Sequence, residues 1–375
     1  MGYKLKNALI LICVMVLAFC LCSCSEWFAF NTAKNFDIAD QEIVDAVVDD
    51  TCAYYLTSNG ALYSPGADID ANCYVIYQDV KSGLVAENVR DFDIISYGGY
   101  YINTDDELYV WDFYQIESIG YTKNRGFQKV LDGVKTAKVW NKFIVYTDQE
   151  DNLYLTGLFC DKQYDLNEPL LLDNDVSCYQ VFANGVVWVN SNGIFSSCGD
   201  YKIPSYIASV QLSDIDINHI EKFKMSPRYT VLLSNGKLWY IGDKDFINTP
   251  YTEIKNENEE FTGEPEVFCL IENAVDFSCE CNTVVAVDDS DNGIVWGECL
   301  QNSSNDQEEP YWEILDGKVI QKDVSKVLRG SRWSVSFIST DHKSLYYGYW
   351  NQWGFCGNSS DKEYIGIKSD PLTWI

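Results

Sequence analysis

The sequence predicts an all-β chain folded as a seven-bladed β-propeller. Three observations point there. An apolar hairpin unit recurs seven times, its period is that of a four-stranded blade, and no stretch beyond the extreme N-terminus carries the 3.6-residue apolar period of a long helix. Each unit is an apolar run, a short polar turn, and an apolar-aromatic return. The first reads Tyr54-Tyr55-Leu56, Ser58-Asn59-Gly60, Leu62-Tyr63, and the second Tyr100-Tyr101-Ile102, Thr104 to Glu107, Leu108-Tyr109-Val110-Trp111. The third runs from Phe143-Ile144-Val145-Tyr146 through Asp151-Asn152 to Leu153-Tyr154-Leu155-Thr156-Gly157, and the fourth from Val186-Val187-Trp188-Val189 through Ser191-Asn192-Gly193 to Ile194-Phe195. The fifth and sixth turn at Ser234-Asn235-Gly236 and Asp291-Asn292-Gly293, and the seventh at Asp341-His342-Lys343.

The return-strand anchors are Leu62, Leu108, Leu153, Ile194, Leu238, Ile294 and Leu345, with successive gaps of 46, 45, 41, 44, 56 and 51 residues. That range suits a propeller blade. About ten residues before each apolar run lies another β-rich step, as in residues 134–139, 176–181 and 274–278. Its period of two suits a sheet packed on both sides. Asn59-Gly60, Asn192-Gly193, Asn235-Gly236 and Asn292-Gly293 are expected to form tight hairpin turns, because both residue types tolerate positive φ.

These residues resemble the repeats of the regulator of chromosome condensation, in a divergent bacterial form. That repeat runs from a Val-rich strand through Asp/Asn-Gly and Leu-Tyr or Leu-Trp to Trp-Gly and a glycine-rich tail. Here Trp296-Gly297 keeps the Trp-Gly step, while Ile241-Gly242 and Tyr347-Gly348 keep its glycine. Asn351-Gln352-Trp353-Gly354-Phe355-Cys356-Gly357 keeps the tail, which the other six units have lost. The resemblance spans roughly residues 43 to 358 and implies a propeller that binds proteins across its ring face.

Three regions follow: a signal peptide over 1–23, a lipidated spacer over 24–42, and the propeller over 43–375. Lys4 and Lys6 precede an apolar stretch, Ala8 to Cys24, that closes on Leu21-Cys22-Ser23-Cys24. This resembles a bacterial lipoprotein signal, with an aliphatic residue three positions before the cysteine and a small one just before it. Cys24 is therefore the expected lipidation site, and the propeller is expected outside the cytoplasmic membrane, held by acyl chains. The other reading is a retained helical anchor, for which 17 residues is short. Two segments compete to close the ring, residues 361–375 (with Tyr364-Ile365-Gly366-Ile367) and residues 27–48. The long segments from Asp243 to Glu266 and from Gln301 to Gly317 are expected to be loops at blade edges.

Lys and Arg number 27 against 56 Asp and Glu, a net charge of −29. The acids are spread over turns and loops, as on a solvated, solubilising surface. The balance excludes nucleic acid, whose phosphates need a basic face. It leaves attraction to a basic partner or to divalent cations as the functional reading.

Ten cysteines lie beyond the signal: Cys52, Cys73, Cys160, Cys178, Cys198, Cys269, Cys279, Cys281, Cys299 and Cys356. Disulfides are compatible with an extracytoplasmic site, but order alone does not give the pairing. Within strands a cysteine is equally a small buried apolar residue, and Cys178, Cys279 and Cys281 fit that description. Cys279-Glu280-Cys281 reads as alternation that places both thiols on one face, without the second cysteine pair a zinc site needs.

The chain carries two histidines, His219 and His342, both in polar surroundings, so a Ser-His-Asp set would have to use one of them. No phosphate loop of Walker type and no His-Glu-x-x-His occurs. Asp288 to Gly293 resembles part of a calcium loop but lacks its closing glutamate, and a hairpin turn explains it better. No catalytic, metal or cofactor residue is assigned.

The expected function is a non-catalytic, monomeric, lipid-anchored scaffold that binds a protein or a cell-envelope polymer. The alternative is a secreted hydrolase of carbohydrate or peptidoglycan that uses carboxylates in the central channel. Trp350-Asn351-Gln352-Trp353 offers candidate aromatic anchors, with packing between blades as its other role.

Overall fold

A computed structural model describes residues 42–48, 53–63, 84–95, 98–112, 127–140, 142–209, 215–254, 260–301, 311–330, 335–342, 344–348 and 372–373. Its strands fall into seven sheets, each built from one continuous stretch of chain, with consecutive strands paired antiparallel. The innermost strands are Ile43–Val48, Val89–Ile95, Thr136–Trp140, Val176–Phe182, Ile220–Met225, Ala274–Glu280 and Val324–Gly330. Each lies against the inner strand of a neighbouring sheet or the strand beside it, and the last packs back on the first, so the sheets form a closed β-propeller.

The expectation of seven four-stranded blades needs one correction. Among the described residues, six sheets have four strands or more and the fourth has three: Val176–Phe182, Gly185–Asn190 and Phe195–Gly199. The cause lies just after Gly199. Asp200 N–H donates to the Asn184 carbonyl at 2.8 Å, turning the chain across the sheet. Tyr201 then stacks on Phe182 with ring centroids 3.8 Å apart. A short helix, Ser205–Ser209, follows, and its Tyr206 hydroxyl bonds the Ser226 carbonyl at 2.8 Å and Thr230 Oγ1 at 3.0 Å in the fifth sheet. The chain thus bridges to the next sheet where its siblings lay down an outer strand. The anchor residues record the difference. Leu62, Leu108, Leu153 and Leu238 are fully buried, whereas Ile194 is 58% exposed.

The second strand of each sheet is sandwiched between neighbours and is apolar on both faces. All five residues of Phe143–Thr147 and all six of Tyr229–Ser234 are buried. Inner strands alternate instead: Ile220, Phe223 and Met225 are buried, while Glu221, Lys222 and Lys224 are exposed. The hydrophobic core is accordingly divided among the seams. One cluster joins Tyr54, Leu56 and Leu62 of the first sheet to Val89, Phe92 and Ile94 of the second. Another joins Tyr229, Val231 and Leu238 of the fifth to Ala274, Phe277 and Val284 of the sixth. Each such Leu, Ile or Phe contributes about 1.5–3 kcal/mol by leaving water.

A ring of backbone hydrogen bonds links the sheets. At or just before the start of an inner strand, an N–H donates to a turn carbonyl of the sheet before it: Val89 to Gly60 (2.8 Å), Val134 to Asp106 (2.9 Å), Val176 to Asp151 (2.9 Å), Ala274 to Gly236 (2.6 Å), Val324 to Asp291 (3.1 Å) and Ile43 to His342 (2.7 Å). Each accepting residue has positive φ, which turns its carbonyl toward the next sheet. Among the described residues, the seam from fourth to fifth sheet lacks this bond; there Ile217 packs on Gly193 instead.

The Asn-Gly expectation holds only in part. Asn235 and Gly236 both have positive φ, but at the first and fourth turns only Gly60 and Gly193 do. In the sixth sheet Asp291 takes the left-handed position, and Asn292 and Gly293 already belong to the strand Asn292–Gln301. In the segment Gln301 to Gly317, expected as a loop, Gln301 and residues 311–317 belong to strands, the latter to the twelve-residue outer strand Tyr311–Lys322, and residues 302–310 lie outside the described residues. The first sheet takes its inner strand from Ile43–Val48, and the last pairs Leu372–Thr373 with Ser344 and Leu345. Both proposed closing segments therefore supply strands, each to its own sheet. Residues 1–41, with the signal and Cys24, lie outside the described residues, as do Tyr364-Ile367 and Trp350 to Gly357.

Candidate functional site

The two faces of the ring differ. Second and third strands are joined by tight turns throughout, and on the same face outer strands lead to the next inner strand through connections as short as residues 87–88, 174–175, 272–273 and 323. Side chains lock this face. Asp148 Oδ1 accepts from the N–H groups of Glu150 (3.0 Å) and Asn152 (2.9 Å), Asn190 Oδ1 from Asn192 and Ile194 (both 3.1 Å), and Asp288 Oδ1 from Ser290 (3.0 Å) and Asn292 (2.8 Å). The calcium-like stretch at Asp288 is therefore a hydrogen-bonded turn.

On the opposite face, among the described residues, the connection from third to fourth strand of the fifth sheet runs through residues 243–254 and 260–265. Asp243 caps the short helix Lys244–Ile247 by accepting from Asp245 N–H, and its carboxylate pairs with Arg228. Phe246 and Ile247 are buried, so this loop is pinned to the ring at its start. Trp140 ends its inner strand on this face and is 37% exposed.

Glycine fixes how closely strands approach on the loop side. Gly157, Gly199, Gly242 and Gly297 all have positive φ, and a Cβ at any of them would collide with the carbonyl of Lys142, Asn184, Arg228 or Asn282, respectively. This is the physical reason for the glycine of the Trp-Gly step.

The channel is lined by the inner strands, and charged residues recur at their third and fifth positions. Lys326 bonds Asp45 at 2.7 Å across the closing seam, Lys222 bonds Asp276 at 2.8 Å from fifth to sixth sheet, and Lys138 bonds Asp93 at 2.9 Å from third to second. Asp276 also accepts the Val327 N–H at 3.1 Å. Gln180 takes the same part between fourth and fifth sheets, receiving the Met225 N–H at 2.7 Å and donating to its carbonyl at 3.4 Å. Asp91, beside them, has its pKa raised, chiefly by burial and further by Asp45 and Asp93, with Lys138 opposing. Asp45, Asp93 and Asp276 are thus ties between sheets, and the geometry gives no support to an acid-and-base pair for hydrolysis. These residues were missed in the sequence, although Ile-Val-Asp, Val-Arg-Asp, Ile-Glu-Lys, Ala-Val-Asp and Val-Ser-Lys at the strand starts carry the signal.

The structure separates the other candidates. Cys279 is buried in its strand, but Cys281 has φ +52° and ends that strand, so the two do not alternate on one face. Among the described residues no group of histidine, cysteine and carboxylate side chains is placed to hold a metal ion. His219 is exposed and lies 2.6 Å from Asp216, and His342 sits in the last turn.

No protein-family description matches the chain, and no curated protein matches it by sequence. Solved structures do. Yeast RCC1 (Prp20), in its complex with Kap60, is similar with a TM-score of 0.54 at 11% identity, over 76% of this chain and 75% of that one. Hsv2 of Kluyveromyces lactis aligns with a TM-score of 0.47 at 12% identity, over 87% and 96%. At such identities the likeness is one of fold: the chain is an all-β propeller similar in architecture to yeast RCC1.

Proposed function

We propose that this chain is a non-catalytic scaffold that receives a basic protein partner on the loop-bearing face of its propeller. The asymmetry of the two faces carries the reading. One face is closed by hydrogen-bonded turns, and the other bears the longer fifth-sheet connection of residues 243–254 and 260–265, with Trp140 beside the channel mouth. Variable loops on a rigid frame are where binding surfaces concentrate. A net charge of −29 favours a basic partner and speeds its encounter. In the similar fold, yeast RCC1 is bound to another protein, Kap60.

The test is capture from the cell's own envelope with two charge-reversed variants. One carries Trp140→Ala, Glu253→Lys and Glu264→Lys on the loop face. The other carries Asp105→Lys, Glu150→Lys and Asp289→Lys on the turn face. The loop-face variant should lose a salt-sensitive basic protein that the turn-face variant retains. Retention by the first with loss by the second would overturn the reading.

The scaffold is tethered outside the cytoplasmic membrane by acyl chains on Cys24. Support comes from the Leu21-Cys22-Ser23-Cys24 box after an apolar stretch. Cys24→Ser should abolish incorporation of a labelled fatty acid and detach the protein from the membrane fraction. Undiminished labelling would remove the anchor from the proposal.

A further inference from the structure

A pair of cysteines borders the three-stranded fourth sheet. Among the described residues the fourth sheet lacks an outer strand and does not pass the circumferential backbone bond forward, so its hold on the fifth sheet depends on side chains. On its other side, facing the third sheet, lie Cys160 and Cys198. Cys160 follows the third-sheet strand Leu153–Phe159, has φ +46°, and places Sγ 3.6 Å from the Asn184 carbonyl of the fourth sheet. Cys198 pairs with Val186 in the fourth sheet and packs on the seam cluster of Phe143, Phe159, Val186 and Trp188. Its neighbour Gly199 touches the same place from the other side: a Cβ there would lie 2.6 Å from Phe159 Cζ and would strike the Asn184 carbonyl. Phe159-Cys160 and Cys198-Gly199 therefore meet across one seam around a single carbonyl. Cys160 is exposed and Cys198 half-buried. Burial first, then the charge of Cys160, push the Cys198 thiol up to about 11.

We propose that Cys160 and Cys198 are a dithiol site that closes to a disulfide and staples the third sheet to the fourth. The co-reactant is a small-molecule disulfide. The exposed Cys160 thiolate attacks it, forming a mixed disulfide and expelling one thiolate. Cys198, once deprotonated, attacks Cys160 Sγ and expels the second. Two protein thiols are oxidised, one disulfide is reduced, and the two protons end on the two small thiols. Cys160 is the entry thiol because it is exposed, and Cys198 resolves because it is held in the seam.

The experiment treats the folded protein with oxidised glutathione at mildly alkaline pH, quenches in acid, and maps peptides by mass spectrometry. Chymotrypsin is the protease required, because no Lys or Arg separates Cys178 from Cys198, whereas Tyr179, Phe182, Trp188 and Phe195 do. A peptide pair linked through Cys160 and Cys198 is expected, with a higher thermal midpoint than the reduced protein. Cys160→Ser and Cys198→Ser should each lose the linked pair and the rise in midpoint while melting like the reduced wild type. Cys160 trapped as a glutathione adduct with Cys198 free would overturn the proposal, as would linkage of either to another cysteine. The outcome does not depend on which face of the ring binds a partner.

Discussion

The N–H of Ile43 donates to the carbonyl of His342 at 2.7 Å, joining residues 299 positions apart. Nδ1 of His342 lies 3.1 Å from the Ile43 carbonyl, so the two residues are bonded twice. This is the one seam without a covalent connection through the chain. No strand is exchanged across it, because the first sheet comes wholly from one end of the sequence and the last from the other. Besides the Ile43–His342 contacts, it is held by Lys326–Asp45 and by packing of the inner strands.

That seam should be the first to open. Amides of Ile43–Val48 and Val324–Gly330 are expected to exchange with solvent faster than those of Phe143–Thr147, which is buried along its length. Lys326→Ala should speed exchange locally. It should cost only about 0.2–1 kcal/mol globally, because the pair is partly exposed. Equal protection at all seams would show that closure is not the weak point.

The anchor position offers a matched comparison within one molecule. Leu238 is fully buried between a second strand and the outer strand Glu266–Ile271, so Leu238→Ala should cost about 2–5 kcal/mol. Ile194 occupies the same place in the repeat without an outer strand above it, and Ile194→Ala should change stability by no more than about 0.5 kcal/mol. Chemical denaturation of the two variants measures both, and a large cost at Ile194 would contradict its exposure.

The fourth unit also shows how far the sequence could be read. Hairpins, period and inner strands were legible because each rests on local patterning: paired β-rich runs around a polar turn, repeated. The missing outer strand was not legible. Nothing in Asp200 to Ile215 alone says that Tyr201 will stack across the sheet on Phe182 or that Tyr206 will reach Ser226. Those are long-range choices made by neighbouring sheets. The channel ties fall between these cases. Asp45, Lys222, Asp276 and Lys326 stand at one recurring strand position, yet opposite charges meet only when the ring brings successive sheets side by side. The turn shift at Asp291 has a local cause, since Asp288 captures Ser290 and Asn292 and fixes the loop one residue early.

Glycines of two kinds can be told apart by substitution. At Gly297, φ is +92° and a Cβ would run into the Asn282 carbonyl, so Gly297→Ala meets both backbone strain and collision. A loss on the order of 3 kcal/mol or more is expected. At Gly133, φ is +70° but nothing lies within 4 Å of a Cβ, so Gly133→Ala should cost only about 1–2 kcal/mol. Thermal denaturation of both variants would test the ranking, and equal losses would mean that the close approach at Gly297 relaxes freely.

Asp91 gives the channel a pH signature. Burial raises its folded-state pKa above that of the unfolded chain, with Asp45 and Asp93 adding to the effect and Lys138 opposing it. In the window between the unfolded and folded values, the native state binds the proton that the unfolded state has released. Stability contributed by this residue therefore falls as pH rises through that window, and at neutral pH the native chain carries a buried, destabilising charge. Asp91→Asn removes the charge and keeps the shape. The variant should melt higher than the wild type at pH 7, and the advantage should vanish at pH 3, below the ordinary carboxylate pKa of about 3.9. A variant less stable than the wild type at pH 7 would mean that Lys138 prevails over burial and that the Asp91 carboxylate supports the ring in its charged form.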